Sequence, residues 1–418
     1  MNILVIGSGG REHAICWKLR QSPKVDKLYC APGNGGIALV AECVNIGARD
    51  ISGIVKFALE HDVGLTFVAP DDPLADGMVD ALEAAGCPAF GPTAAAARIE
   101  ASKTFAKGIM EKAGIPTAKS RTFTGAEAAA AYVREQGAPI VVKADGLALG
   151  KGVFVCMTED EALEAVDQIM VRNAFGEAGR SVVIEEYMEG PEVSLLCFTD
   201  GKSVSVMPPA QDHKRAMDHD RGPNTGGMGA FAPTPKFTVE QLEWAKEHVL
   251  LPAIMAMEAE GCPFRGILYA GLMLTKYGIR VLEFNARFGD PETQVILPLL
   301  KTDLLDIMIA IREGRLAELK VQWSDGAAAV VVMASGGYPG SYQKGYVIDG
   351  LKGAYAQDVI VFHSGTALTG GSVVTNGGRV LGITAVAEDL ESAIGKAYAA
   401  TGGISFEGCH YRRDIGRK

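Results

Sequence analysis

Glu283, Asn285 and Arg287 occupy every second position at the end of an apolar run that includes Val281, Leu282 and Phe284. Side chains alternate along a strand, so these three polar groups should share one face while Leu282 and Phe284 take the other. A carboxylate and an amide oxygen two residues apart suit a hard cation such as Mg²⁺, which keeps waters and accepts phosphate oxygens. Arg287 would grip an anionic group beside the ion. A solvated strand face is the plainer reading, although Asp290 and Glu292 crowd further acids alongside.

Two glycine-rich loops point to phosphate. Gly7-Ser8-Gly9-Gly10-Arg11-Glu12-His13 follows an apolar strand and opens a helix. There, backbone amides can approach an anion. The dinucleotide fingerprint fails twice: its third glycine would fall at Glu12, and no acid ends the second strand, where Ala31-Pro32-Gly33-Asn34 runs on. The loop better suits one terminal phosphate held by Arg11, and a ligand-free tight turn is the alternative. The second loop, Lys143-Ala-Asp-Gly146-Leu-Ala-Leu-Gly150-Lys151-Gly152, lies between two strands and is not a Walker A loop. A glycine-rich hairpin can still fold over a triphosphate, with Lys143 on the rigid strand and Lys151 on the loop. Lys103 sits at the edge of an apolar helical stripe of Ile99, Ala106 and Met110, where a snorkelling lysine would look the same. Glu185-Glu186-Tyr187-Met188 turns between strands and could offer backbone groups to an adenine edge, with Glu192 accepting ribose hydroxyls.

The remaining composition narrows the class. Forty basic and fifty acidic residues give a net charge of −10, which argues against nucleic-acid binding. No apolar run reaches the ~20 residues of a membrane span, and the start lacks a signal peptide's features. The eight cysteines form no C-x-x-C pair and favour a reduced cytoplasmic setting. His213 and His219 are expected to be solvated or capping rather than a metal pair.

These groups need a scaffold of several domains, about three by length. The fold class is α/β and α+β. Strands over 2–6, 27–30 and 65–68 alternate with helices over 11–21, 52–60 and 74–85, which predicts a doubly wound parallel sheet. A single long helix is expected over 94–113, capped by Thr93. Short strands over 139–144, 153–157, 182–187, 193–198 and 204–207 predict antiparallel pairing. A helix over 240–257 leads to strands over 267–275 and 280–284. A third region starts near 327, with a strand over 359–363, a hairpin turn at Asn376-Gly377-Gly378 and a helix over 390–400.

In combination and in this order, the Gly7–His13 and Lys143–Gly152 strings resemble the ATP-grasp ligases. With Gln211-Asp-His-Lys-Arg, Pro223-Asn-Thr-Gly-Gly-Met-Gly and Glu283-Phe-Asn-Ala-Arg-Phe-Gly-Asp-Pro-Glu-Thr-Gln, they resemble more narrowly the phosphoribosylamine–glycine ligase family. The resemblance spans essentially the whole chain. It implies a parallel-sheet domain over 1–101, an ATP-grasp domain of antiparallel sheets and helices over 102–325 with a lid near 120–190, and a small α+β domain over 326–418. The implied reaction joins glycine to 5-phosphoribosylamine at the expense of ATP, in a monomer or weak homodimer. Lys103 and Lys143 would meet the phosphates beneath the lid loop Gly146, Gly150, Lys151 and Gly152. Glu185, Glu186, Met188 and Glu192 would surround the nucleoside, and Glu283 and Asn285 would hold Mg²⁺ or Mn²⁺. Gly9, Gly10, Arg11, Gly33 and Asn34 would receive the sugar phosphate. Asp212, Lys214, Thr225, Gly226, Gly227 and Arg287 would hold glycine and the amine. Where the family commonly has a glutamate after Gly-Pro, this chain has Asp71, a shorter arm toward the sugar. A biotin carboxylase-like enzyme or another carboxylate–amine ligase, a nicotinamide oxidoreductase and a silent nucleotide-binding module are the rival readings.

Overall fold

The computed structural model describes residues 1–148, 151–353 and 358–417. The opening apolar strand Asn2–Gly7 lies at the centre of a five-stranded parallel sheet. Leu28–Pro32 and Glu42–Cys43 lie on one side of it, Val63–Val68 and Ala89–Phe90 on the other. Buried side chains from both faces of this sheet pack under helices, as a doubly wound layer requires.

Two expected helices are each divided. The one over 74–85 is instead Asp71–Ala75 and Met78–Ala84, separated by Gly77 in the left-handed region at φ +87°. The one over 94–113 breaks at Ser102, whose extended backbone separates Ala94–Ala101 from Lys103–Lys112. Ser102 Oγ accepts from Phe105 N at 3.1 Å and so caps the second helix. Apolar periodicity runs straight through the break, because both pieces pack on one core. The break serves Asp145, whose Oδ1 accepts from Thr104 N at 2.7 Å and from Ser102 Oγ at 3.2 Å.

Two antiparallel four-stranded sheets form the middle of the chain. One has the order Ser120–Phe123, Val182–Glu186, Ile140–Ala144, Val153–Cys156. The other has Val204–Val206, Glu192–Thr199, Gly266–Thr275, Gly278–Asn285. The third region shares its sheet with the middle: Gln211–Asp212 and Gly229–Ala232 pair onward to Ala327–Ala334, Arg379–Ala387 and Val359–His363. The turn at Asn376-Gly377-Gly378 closes no hairpin. It leads from Ser372–Thr375, paired with Thr366–Thr369, into Arg379–Ala387 of the larger sheet.

One register irregularity bears directly on the site. Gly271 pairs with Glu283 but Leu272 pairs with Val281, so Leu282 bulges out of the ladder. Alternation fails there. Val281 and Phe284 enter the main core, whereas Leu282 packs beside Ala118, Met188 and Met273 and lines the same cavity as Glu283.

Candidate active site

The two four-stranded sheets face each other across a cavity of about 830 Å³. At one end Met188, Met273 and Leu282 give it an apolar wall. Beside them lies a buried charge cluster. The Glu185 carboxylate is bridged by Lys143 at 2.8 Å and Lys107 at 3.1 Å, and Lys107 Nζ also donates to Thr117 Oγ1 and Ala118 O. Lys103, the first residue after the helix break, donates to Gly146 O at 3.1 Å. Burial is the main influence that lowers the Lys103 and Lys107 ammonium groups from their ordinary value, as expected where cations leave water. Glu186 spends its side chain on Arg280, at 2.7 Å, and on Lys119 N. Glu186 N donates to Lys119 O, and Glu186 and Met188 both line the cavity.

Glu283 stands at the centre. Burial pushes its carboxyl up, but Lys214, Lys143, Lys103 and Arg287 together hold it below the ordinary range. Among the described residues it makes no ion pair within 4 Å. It is therefore an ionised carboxylate surrounded by cations without being neutralised by direct contact. Asn285 is buried two positions away, and its Oδ1 accepts from Arg287 Nη2 at 3.2 Å. Among the described residues no cluster of three or more His, Cys, Asp or Glu could hold a metal. Two protein oxygens fit an ion that takes its remaining ligands from phosphate and water, the habit of Mg²⁺.

Lys214 ion-pairs with Glu192 at 2.5 Å, so Glu192, expected at the ribose, is engaged by a cation here. Asp212 lies behind them. Burial, with Glu292, Glu192 and Glu283, raises its carboxyl to about 7 against the pull of Lys214. Glu292 is held by Ser194 Oγ at 2.9 Å and Tyr269 OH at 3.0 Å.

The far end draws on all three regions. Arg287 Nη2 meets buried Glu100 at 2.6 Å, and the other Glu100 oxygen accepts from Ala286 N. Arg11 is paired with Glu12 at 2.7 Å and donates to Phe288 O. Burial pushes the Asp71 carboxyl up, but Arg287 and then Arg11 outweigh it and leave it below its usual value. Asp290 accepts from Arg11 N and Gln294, and Arg379 reaches it from the third region at 3.4 Å. Arg379 also donates to Gly226 O and Asp290 O, and Gly226 N donates to Tyr338 OH. Thr225 Oγ1 donates to Lys214 O and accepts from Gly227 N.

The cavity wall includes Arg11, Asp71, Lys103, Lys143, Gly152, Glu185, Glu186 and Met188. It also includes Glu192, Asp212, Lys214, Thr225, Gly226, Glu283, Asn285 and Arg287. Several other sequence candidates lie behind it. The Gly9 amide donates to Glu12 at 2.6 Å, so the helix start is capped by the chain's own carboxylate. Gly10 is a packing glycine, since a Cβ there would lie 2.5 Å from Gln294 and Ser364. Asn34 donates to Ser8 O and His363 O and accepts from Gly36 N, which ties the first region to the third, with Gly33 just before it. Gly227 packs on Pro291. Gly146 N donates to Ala178 O, and Lys151 is exposed on the loop. Gly150 lies outside the described residues. His213 is buried, not solvated, and its Nε2 accepts from Gly416 N, whereas His219 sits at an exposed turn.

Sequence reasoning missed Lys107, Glu100 and Arg379. Lys107 stands one turn after Lys103 on the same helix, a spacing that could have found it. Glu100 and Arg379 gave no local signal.

Family models for the phosphoribosylglycinamide synthetase N domain, ATP-grasp (A) domain and C domain match residues 1–100, 101–293 and 328–418. The chain is 52% identical over 421 residues to a phosphoribosylamine–glycine ligase of Nostoc sp., covering 100% of this chain and 99% of that one. It resembles the crystal structure of phosphoribosylamine–glycine ligase from Thermotoga maritima with a TM-score of 0.84 at 33% identity over 100% of both chains. A Hydrogenobacter thermophilus biotin carboxylase domain, solved with MgADP, shares the fold alone: 17% identity, TM-score 0.74, 98% and 91% coverage. With all three of its domains matched in order along the sequence, the chain belongs to the phosphoribosylglycinamide synthetase family.

Proposed function

We infer that this enzyme joins glycine to 5-phosphoribosylamine, converting ATP to ADP and phosphate and yielding glycinamide ribonucleotide for purine synthesis. The observation that carries the reading is Glu283, set between two facing antiparallel sheets in a cavity lined by Lys103, Lys143, Lys214 and Arg287 and making no direct ion pair among the described residues. That arrangement gathers positive charge where a triphosphate would lie and leaves one carboxylate open to a cation.

ATP lies between the sheets, with adenine against Met188 and Leu282 and with the Glu186 and Met188 backbone at its edge. Glu185 sets the direction of Lys143, and Glu192 turns to the ribose. Lys103 and Lys143 neutralise the phosphates under the loop that carries Gly146, Gly150, Lys151 and Gly152. Glu283 and Asn285 would hold Mg²⁺ or Mn²⁺, which would supply charge neutralisation for the phosphates. A glycine carboxylate oxygen attacks the γ-phosphorus and ADP leaves, giving glycyl phosphate. The nitrogen of phosphoribosylamine then attacks the acyl carbon, loses a proton to solvent and expels phosphate. The protein contributes position and charge rather than a covalent nucleophile.

Arg287, steadied by Glu100, and Lys214 beside Asp212 orient glycine and the amine with the Thr225-Gly226-Gly227 turn. Arg11 and Asp71 face the sugar phosphate, with Gly9, Gly10, Gly33 and Asn34 supporting that wall. The eight cysteines are unpaired, in keeping with a cytoplasmic enzyme, and we expect a monomer or weak homodimer. No helix among the described residues is long and apolar enough to cross a membrane.

The decisive experiment follows ADP release with ATP and Mg²⁺ while glycine and freshly prepared phosphoribosylamine are added separately and together. Turnover should require both, and ¹⁸O from the glycine carboxylate should appear in phosphate. ADP release without glycine, or phosphate free of label, would overturn the reading.

A further inference from the structure

Among the described residues, the strands Arg215–Met217 and Arg221–Asn224 form a ribbon that pairs only with itself. A lone two-stranded ribbon is marginal in water. Its tip carries His219 and Asp220 at φ +60° and +51°, a costly conformation for side-chain-bearing residues. Yet Lys214 leads directly into it, Thr225 directly out of it, and Arg215, Asp220 and Asn224 line the cavity. Something must hold it still.

The residues that do so lie about two hundred positions away. Arg412 is entirely buried. Its Nε and Nη2 fork onto Asp414 at 2.8 Å each, and its Nη1 donates to Asp220 at 2.9 Å and Arg215 O at 3.1 Å. Asp414 also accepts from His219 N, and Asp218 accepts from Arg413 N at 2.8 Å. The segment is itself fixed to the helix Leu390–Thr401, because Tyr398 OH donates to Arg412 O and accepts from Ile415 N. Burying a guanidinium is costly unless its donors are satisfied, and here each of its nitrogens has a partner. A flat, five-donor fork makes all four of these bonds, two of them side by side on one carboxylate, whereas an ammonium has only three donors.

We propose that Arg412 is a positioning residue for the ligation. Through Asp414, Asp220 and the Arg215 carbonyl, it locks the 215–224 ribbon so that Lys214 and Thr225 face the cavity. The proposal rests on the reading of residues 212–227 as the glycine and amine side of the site.

The test uses the full chain with Arg412→Lys and, because a buried substitution can prevent folding, the near-isosteric Asp414→Asn, which weakens the same fork at a half-buried position. Tryptic cleavage after Arg215 and Arg221, located by mass spectrometry under native conditions, reports ribbon opening. Cleavage in both variants should rise at least about fivefold, since proteolysis tracks the population of the open form. KM for glycine, phosphoribosylamine or both should rise about 5–20-fold, with kcat and the ATP KM within about twofold of wild type. Cleavage at the wild-type rate overturns the proposal, as does an ATP KM that rises in parallel or ribbon opening with unchanged acceptor KM values. If Arg412→Lys does not fold, Asp414→Asn decides alone. Lys214→Ala probes the underlying reading separately: unchanged KM values for both acceptors would remove that reading, while the cleavage assay would still report on the brace.

Discussion

The two ends of the cavity are built by different means. The end proposed for the nucleotide comes from strands, loops and the helix Lys103–Lys112 of one region, and most of its cations sit on short, continuous strings such as Lys143–Gly152. The end proposed for the acceptors is gathered from three regions: Arg11 and Asp71 from the first, Arg287 and the Thr225 turn from the second, Arg379 from the third. The first can be read from local sequence and depends on burial of charge. The second exists only when distant segments meet, so it should be the more sensitive to domain packing.

The largest test of this contrast lies at the centre. Glu283→Ala should lower ATP turnover by at least about a hundredfold, with a normal thermal transition, because phosphoryl transfer would lose its cation site. Turnover near wild type would remove the metal assignment. The next test is acid. His13 and His363 meet where the first and third regions pack, with His363 N donating to His13 Nδ1 at 2.8 Å. Burial drives their pKa values down to about 3 and about 4. An unfolded imidazole titrates near 6.5, so below that pH the unfolded chain binds protons that the folded pair refuses. Stability is thus complete above about 6.5 and is lost as pH falls toward 4, by roughly 2 kcal/mol per ring at pH 5. Denaturant midpoints at pH 7.5 and 5.0 should show this loss, and His13→Gln should remove about half of it. Acceptor affinity should weaken in acid before ATP affinity does.

Two smaller effects separate the ends. Arg11→Ala should raise KM for the sugar phosphate about tenfold with little change for ATP. Lys107→Met should do the reverse, raising the ATP KM severalfold, since Glu185 would then draw more of the Lys143 charge. If either variant affected both substrates alike, the division between the ends would not hold.

Legibility followed the same line. The strands of the parallel sheet, the antiparallel pairing of the middle region and the shared side of Glu283, Asn285 and Arg287 were visible because each shows in local sequence, while the two facing sheets came only from the family resemblance. The division of the helix at Ser102 was not, since apolar spacing stays in phase across it and the cause, Asp145, lies about forty residues on. Strict alternation misplaced Leu282, because a bulge is a property of two strands rather than one. The glycines at positions 9 and 10 carried a phosphate signature that Glu12 and close packing also explain. Glu100 and Arg379 announce themselves only through the partners they meet in space.

Asp290 has a consequence for how such a protein can change. One carboxylate takes a backbone amide from the first region and a guanidinium from the third while standing in the second. A crossover that exchanged the third region for one lacking this arginine would leave the carboxylate without its guanidinium, whereas the first region offers a backbone amide that any non-proline residue supplies. Chimeras that keep the second and third regions together preserve this contact.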